Sequence, residues 1–420
     1  MVSELLHFAC VCVRLSVDHS LSFDSSYTRR CPGLLMMAMK RQAGMGDVGN
    51  ILAGPACKRA RRANNILVGS DCTGLNVARL AFESLGLGSI AIDVFASEKD
   101  KATRDVLQHN FKFDRCVYHD ITTRLPADAP YVHFYSAGFP CTPYSGQGLH
   151  QGLASDAGKV GLHCLLFIAK SKPKTFLLEN VANLASERHW SDFKLIMDDL
   201  LAVKDSNGNR MYQFLGYKVM NSVHYGVAQN RRRIYIVGMQ KELKARPFKW
   251  PSATPTPALD NFLDDHVAQP AELPTNATEQ RNFLLAVKEI KGQGRAITDN
   301  YVADLGGGFK AGGKFSANVA YDYSPCLTKS RCGGNAYYVF SRQRKLTLNE
   351  YFRLQGFQPG RIQVPRGVSE RQVRGMIGNS FTMPVVADII DRMMYSSGLT
   401  KQPSRFVLGT GDVGQVHRPQ

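Results

Sequence analysis

Asn65-Ile66-Leu67-Val68-Gly69-Ser70-Asp71-Cys72-Thr73-Gly74 is the stretch that sets the fold. A short apolar run ends in a cluster of turn-forming residues, and a helical stretch follows from Val77 to Leu85. This is the signature of strand, turn and helix. The pattern recurs along the chain. Ile90–Ala96, Tyr131–Ser136, Thr175–Leu178 and Ile234–Val237 read as further strands, and Arg104–Asn110 and Leu162–Ala169 as helices. Strands alternating with helices predict an α/β domain around a largely parallel sheet. In an open sheet of that kind, ligands meet the loops at the carboxyl ends of the strands.

Outside this pattern the chain changes character. Residues 1–64 have no sustained period and end in the basic run Lys58-Arg59-Ala60-Arg61-Arg62. They read as a disordered basic leader, and the run is a candidate nuclear-import signal. After Trp250, prolines crowd residues 251–274, and residues 305–314 are glycine-rich. Residues 241–340 are therefore expected to form a second, smaller and irregular domain. The α/β pattern occupies 65–240, returns over 341–399, and leaves a tail at 400–420.

The 420 residues suffice for about two domains. At 44% apolar and 21% charged, the composition is globular and excludes a wholly disordered or collagen-like chain. The net charge of +17 favours a polyanionic partner without naming it. Residues 341–375 carry eight basic and two acidic residues, the densest basic stretch outside the leader. The ten cysteines include no CxxC pair, so neither a structural zinc site nor a disulfide framework is expected. No apolar run reaches the ~18 residues of a membrane helix.

Three motifs carry chemistry. Gly138-Phe139-Pro140-Cys141-Thr142-Pro143-Tyr144-Ser145 puts a cysteine in a turn-rich loop just after a strand. A thiolate there is a candidate nucleophile. Phe176-Leu177-Leu178-Glu179-Asn180-Val181 delivers a carboxylate at the end of an apolar strand. Such a group works as an acid only if burial raises its pKa. Gln229-Asn230-Arg231-Arg232-Arg233 leads into a strand. Alternate residues share a face there, so Arg231 and Arg233 are expected to point together, with Gln229 beside them.

In this order the three motifs resemble the cytosine-5 methyltransferase family, which acts on DNA and, in one branch, on tRNA. The likeness covers roughly 65–395. It includes Arg344-Lys345-Leu346-Thr347-Leu348-Asn349-Glu350 running on to Arg353-Leu354-Gln355-Gly356-Phe357, and Gly378-Asn379-Ser380. The resemblance implies a Rossmann-like, S-adenosylmethionine-dependent methyltransferase fold with a target-recognition domain at 241–340. It assigns attack on C6 of cytosine to Cys141, which makes C5 reactive. Glu179 would protonate N3, and Arg231 and Arg233 would position the base, a phosphate or Glu179. The target base would leave the duplex stack. Ser145, Gln147, Gln229 and Thr328 would touch nucleic acid.

For the S-adenosyl-L-methionine site the resemblance points to Cys72, Gly74, Leu75, Glu98, Asp120, Ile121, Gly138, Pro140, Val160 and Asn379. Here the chain departs from the family. Cys72 stands where the family has an aromatic, Asn76 where it has a second glycine, and Lys99 where it often has the adenine-stacking aromatic. Asn tolerates a left-handed backbone, so the turn can survive. Glu98 would bind the ribose hydroxyls.

The family likeness leaves tRNA as the alternative substrate, through Cys326-Leu327-Thr328-Lys329, and duplex DNA as the favoured one. A catalytically weak DNA-binding regulator on the same fold is a third reading. A dinucleotide oxidoreductase fails because no GxGxxG closes the first strand. The protein is expected to act as a monomer, without metal or membrane. A nuclear location is favoured, with an organelle or a bacterial-type cytoplasm left open.

Overall fold

The apolar run after Asn65 forms strand β1 (Ile66–Asp71), with five of its six residues buried. The computed structural model describes residues 65–140, 156–240, 243, 246–265, 272–311, 314–398 and 400. Around β1 assemble β2 (Ala91–Ser97), β3 (Cys116–Tyr118), β4 (Phe134–Ala137), β5 (Thr175–Val181), β6 (Tyr212–Asn221) and β7 (Arg232–Gln240). The order across the sheet is β3-β2-β1-β4-β5-β7-β6. Strands β1 to β5 run parallel, and β7 lies antiparallel between β5 and β6.

The strand order reverses between β1 and β4, which opens a crevice above their carboxyl ends. Helices cover both faces. On one, α1 (Val77–Ser84) and α2 (Lys101–Asn110) pack with the C-terminal helix α9 (Met383–Ser396). On the other lie α3 (Asp156–Ser171) and α4 (Trp190–Leu201). The sheet is thus apolar on both faces, which explains the near-continuous apolar runs of its central strands.

The second unit is more regular than its composition implies. β8 (Tyr301–Ala311), β9 (Lys314–Tyr321), β10 (Tyr337–Val339) and β11 (Arg344–Lys345) form an antiparallel sheet in the order β11-β10-β8-β9. Helix α5 (Ala277–Gly292) covers it, with Ala286, Ile290, Tyr301, Leu305 and Phe340 in a small core of their own. The glycine-rich stretch enters β8 because Arg331 lies across it. A Cβ on Gly307 would fall 1.9 Å from the Arg331 guanidinium. Phe248, Leu259 and Phe262 instead join the principal core. Three further helices, α6 (Lys329–Gly333), α7 (Leu348–Leu354) and α8 (Glu370–Asn379), connect the small sheet back to α9.

Candidate active site

Strand β5 is apolar through Leu178 and then presents Glu179 and Asn180 at its carboxyl end. Because β7 is antiparallel, its first residues lie at that same end, with Val181 opposite Arg233 and Glu179 opposite Tyr235. Arg233 Nε sits 3.2 Å from Glu179 Oε1. The Glu179 side chain is nearly closed off from solvent, and Oε1 has no well-directed hydrogen bond. Burial pushes its carboxyl above the usual range, against the opposing pull of Arg233 and Arg231. Asn180 Nδ2 donates to Phe139 O at 3.1 Å, which ties the segment before Pro140 to this strand end. Cys141, Ser145 and Gln147 lie outside the described residues.

The two arginines do converge, but they have different surroundings. Arg231 Nη1 lies 3.9 Å and Arg233 Nη2 3.8 Å from Cys326 Sγ. Arg231, only 3% exposed, also donates to Leu327 O at 2.6 Å, Gly378 O at 3.2 Å and Ser380 O at 2.8 Å. Both its terminal nitrogens are spent on backbone carbonyls, so it joins three chain segments rather than reaching a base or phosphate. Gln229 requires a similar correction. It is 0% exposed, donates to Leu354 O and Gln355 Oε1, and accepts from Leu327 N. No face of it is open to nucleic acid. Thr328 sits at the start of α6 with its hydroxyl buried and, among the described residues, without a hydrogen-bond partner. Its backbone presses on Gly378, where a Cβ would meet it at 2.6 Å.

The crevice between β1 and β4 gathers most of the other expected residues. Cys72, Gly74 and Asn76 all have φ between 51° and 55°, so the turn is left-handed three times in five residues. Asn76 also caps α1 through its side chain. Glu98 braces the turn, accepting from Gly74 N at 3.0 Å and Asp100 N at 3.1 Å. The Cys72 thiol pairs with that of Cys164 on α3, and this contact, with burial, pushes its pKa well up. Asp120 accepts from Thr122 and is bridged by Lys99 Nζ at 2.9 Å. Burial opposes its ionisation, but those partners hold its pKa below the usual value.

Leu75 and Ile121 turn their side chains into the two cores, which leaves only their backbone to a ligand. Val160 is half-buried on α3. Asn379 is exposed at the end of α8, two residues before Phe381. Phe381 packs so closely on Gly138 that a Cβ there would lie 2.4 Å from its ring. With Cys72, Thr73 and Ala137 it lines a small cleft. The sequence reading missed Phe381, and the signal was its place directly after Gly378-Asn379-Ser380.

The donor set fits an adenosine bearing a sulfonium. Carboxylates stand at the ends of two adjacent strands, where hydroxyl and amino donors can be met. Nothing lies within 4 Å of the position a Gly74 Cβ would take, so the turn is open above it.

A family model for C-5 cytosine-specific DNA methylase matches residues 71–395. The Type II methyltransferase M.HaeII of Haemophilus aegyptius is 31% identical over 325 residues, 77% of this chain and 91% of the relative. M.NlaX of Neisseria lactamica, another Type II methyltransferase, is 32% identical over 333 residues, 76% of this chain and 93% of the relative. Among solved structures, the Entamoeba histolytica methyltransferase EhMeth superposes with a TM-score of 0.52 at 16% identity, covering 79% of this chain and 98% of that one. The S. pombe Dnmt2 methyltransferase gives 0.52 at 14%, covering 79% and 99%. At those identities the structural likeness shows a shared fold.

The different settings of the two arginines give a direct expectation. Arg231→Ala removes the guanidinium from the Leu327 and Gly378 carbonyls, while Ser380 O keeps the bond from Gln355 Nε2, and should cost roughly 3 kcal/mol of unfolding free energy. Arg233→Ala should cost less than half of that. Denaturant unfolding of both variants checks the ranking, and equal losses would contradict it.

Proposed function

The chain belongs to the C-5 cytosine-specific DNA methylase family, and we propose that it works through a covalent Cys141 adduct on a cytosine turned out of the duplex. It is a DNA cytosine-5 methyltransferase that uses S-adenosyl-L-methionine. The bond from Asn180 Nδ2 to Phe139 O carries the mechanistic reading, because it ties the chain two residues before Cys141 to the wall that holds Glu179.

The Cys141 thiolate adds to C6 of the ring. Electron density then accumulates on the ring, and Glu179 relieves it by giving a proton to N3. A carboxyl whose pKa is raised by burial is suited to that task. Arg233, beside Glu179, limits the rise in its pKa and holds the carboxyl in one orientation. S-adenosyl-L-methionine, when bound, supplies an electrophilic methyl group. The Cys72–Gly74 backbone, Glu98, Asp120, Gly138, Pro140, Val160 and Asn379 would hold it, with Phe381 closing the cleft. Loss of the C5 proton to solvent, departure of the Cys141 thiolate and return of the N3 proton to Glu179 restore the aromatic ring.

Ser145 and Gln147 follow Cys141 and are proposed to offset the cost of unstacking the target base. Thr328, with its unpaired hydroxyl beside the arginine pair, is proposed to meet the nucleic acid backbone. The four-stranded sheet and its covering helix are proposed to read the target sequence, and a single chain is taken as the active unit. The curated relatives named above are bacterial, which favours a cytoplasmic setting over a nuclear one. The basic run at 58–62 lies outside the described residues.

Duplex DNA containing 5-fluorocytosine should trap a denaturation-resistant complex with the wild-type chain, and Cys141→Ser should give none. Labelled methyl donor should mark duplex DNA, and labelling of tRNA alone would overturn the choice of substrate. The pH profile tests Glu179. Its raised pKa means that the protonated fraction falls as pH rises through that value, so kcat/KM should decline on that side. Glu179→Gln should lower kcat/KM by about 10²–10⁴ and flatten that limb. A limb that persists in Glu179→Gln belongs to another group. Gln147→Ala should weaken binding to a paired duplex more than to one mismatched at the target, and equal weakening would remove Gln147 from the flipping step.

A further inference from the structure

A second ion pair lies beneath the cofactor crevice, and the mechanism above does not use it. Arg124 grips Asp71 in a bidentate fork, Nη1 to Oδ1 at 3.0 Å and Nη2 to Oδ2 at 2.9 Å. Tyr135 OH donates to the same Oδ2 at 2.7 Å, and Arg124 Nη1 also donates to Ser97 Oγ at 2.8 Å. Both charged side chains are at most 3% exposed. The guanidinium lies 5.1 Å from the ring centre of Phe95, 4.9 Å from Tyr118 and 5.5 Å from Phe167.

The origin of these four polar residues is telling. Asp71 is the last residue of β1 and precedes the left-handed turn from Cys72 to Asn76. Ser97 is the last residue of β2 and precedes Glu98. Arg124 follows β3 and comes four residues after Asp120. Tyr135 lies in β4, three residues before Gly138. One buried network therefore takes a residue from each of the four chain segments that wall the cofactor site. We propose that Asp71, Arg124 and Tyr135 are positioning residues for S-adenosyl-L-methionine, fixing the turn after β1 against the loop that carries Asp120.

The physical case rests on what a buried ion pair gives. Apolar side chains of similar volume would stabilise the fold as well or better. The planar fork of an arginine on a carboxylate instead imposes one relative orientation on the two segments it joins. That constraint matters at this place. The turn has three left-handed residues, two of them not glycine, and such backbone persists only where its surroundings over-determine it.

The proposal rests on the assignment of this crevice to the cofactor, and the test separates the two. S-adenosylhomocysteine, the demethylated form of the cofactor, is titrated calorimetrically into the full chain. Failure of the wild-type chain to bind it would overturn the crevice assignment and this proposal with it. With wild-type binding in hand, the triple variant D71L/R124M/Y135F removes the network without leaving an unpaired charge. Its thermal unfolding should stay within a few degrees of wild type, while its affinity for S-adenosylhomocysteine falls at least tenfold. A triple variant that binds as tightly as wild type would reduce the network to core packing. Should that variant not fold, Tyr135→Phe removes one hydrogen bond alone. It should raise the KM for S-adenosyl-L-methionine severalfold, leaving kcat at saturating cofactor and the KM for DNA unchanged. An unchanged cofactor KM would overturn the proposal.

Discussion

A carboxyl at the end of a strand buried on both faces needs a cation nearby, and the direction of β7 provides it. Were β7 parallel to β5, its first residues would lie at the amino end of the sheet, and Arg233 with them. Running antiparallel, it sets Arg233 beside Glu179 and brings Arg231 in on the chain that enters the strand. An opposite charge at this distance ordinarily depresses a carboxyl pKa by about 1–3 units. Here burial outweighs both arginines, so the group remains easy to protonate. A more exposed Glu179 with the same partners would lose the upward push of burial and keep only the downward pull of the arginines.

Arg231 extends this constraint to the rest of the molecule. Its three carbonyl partners come from the segment before α6 and from the end of α8. Gln229 adds a bond to Gln355, and Ser222 and Thr382 share a hydroxyl contact at 2.8 Å. Through these contacts the returning chain at 341–399 locks onto the start of β7. The lock sets Phe381 against Gly138, so the crevice above β1 and β4 and the strand end that carries Glu179 meet the same returning segment.

The sequence disclosed what local pattern and residue chemistry encode. Apolar runs located β1, β2, β4, β5 and β7 but not the three-residue β3, and Cys141, Glu179 and Arg233 stood out because their types suit one reaction. It did not disclose contacts made across long separations. Nothing near Arg231 or Gln229 announces that their partners lie about a hundred residues or more away, so both read as groups that face the substrate. Leu75 and Ile121 sit in motif positions, but a motif does not tell whether backbone or side chain meets the ligand. β6 escaped notice because it is an edge strand with a partly exposed, weakly alternating pattern. The glycines of β8 signalled a loop, and only the guanidinium lying across them explains why a strand needs them.

The two ends of the sheet differ in how far their polar groups are satisfied. A broad polar cleft lies at the amino end, lined by Arg79, Glu83, Asp93, Asn110 and Arg361. Its charges are largely answered from within. Arg79 and Arg361 both pair with Glu83, Arg79 also reaches Ala91 O, and Asn110 bonds Gln363. Asp93, whose pKa burial raises to about 7, has Asn76 and Arg79 beside it. At the carboxyl end the polar groups are incomplete. Glu179 Oε1, the Tyr235 hydroxyl and the Thr328 hydroxyl are all buried without a hydrogen-bond partner among the described residues. A buried polar atom left unpaired costs on the order of 1–3 kcal/mol. Glu179 Oε1 is answered only by the Arg233 ion pair, and with the two hydroxyls it leaves this end of the sheet less fully satisfied than the amino-end cleft.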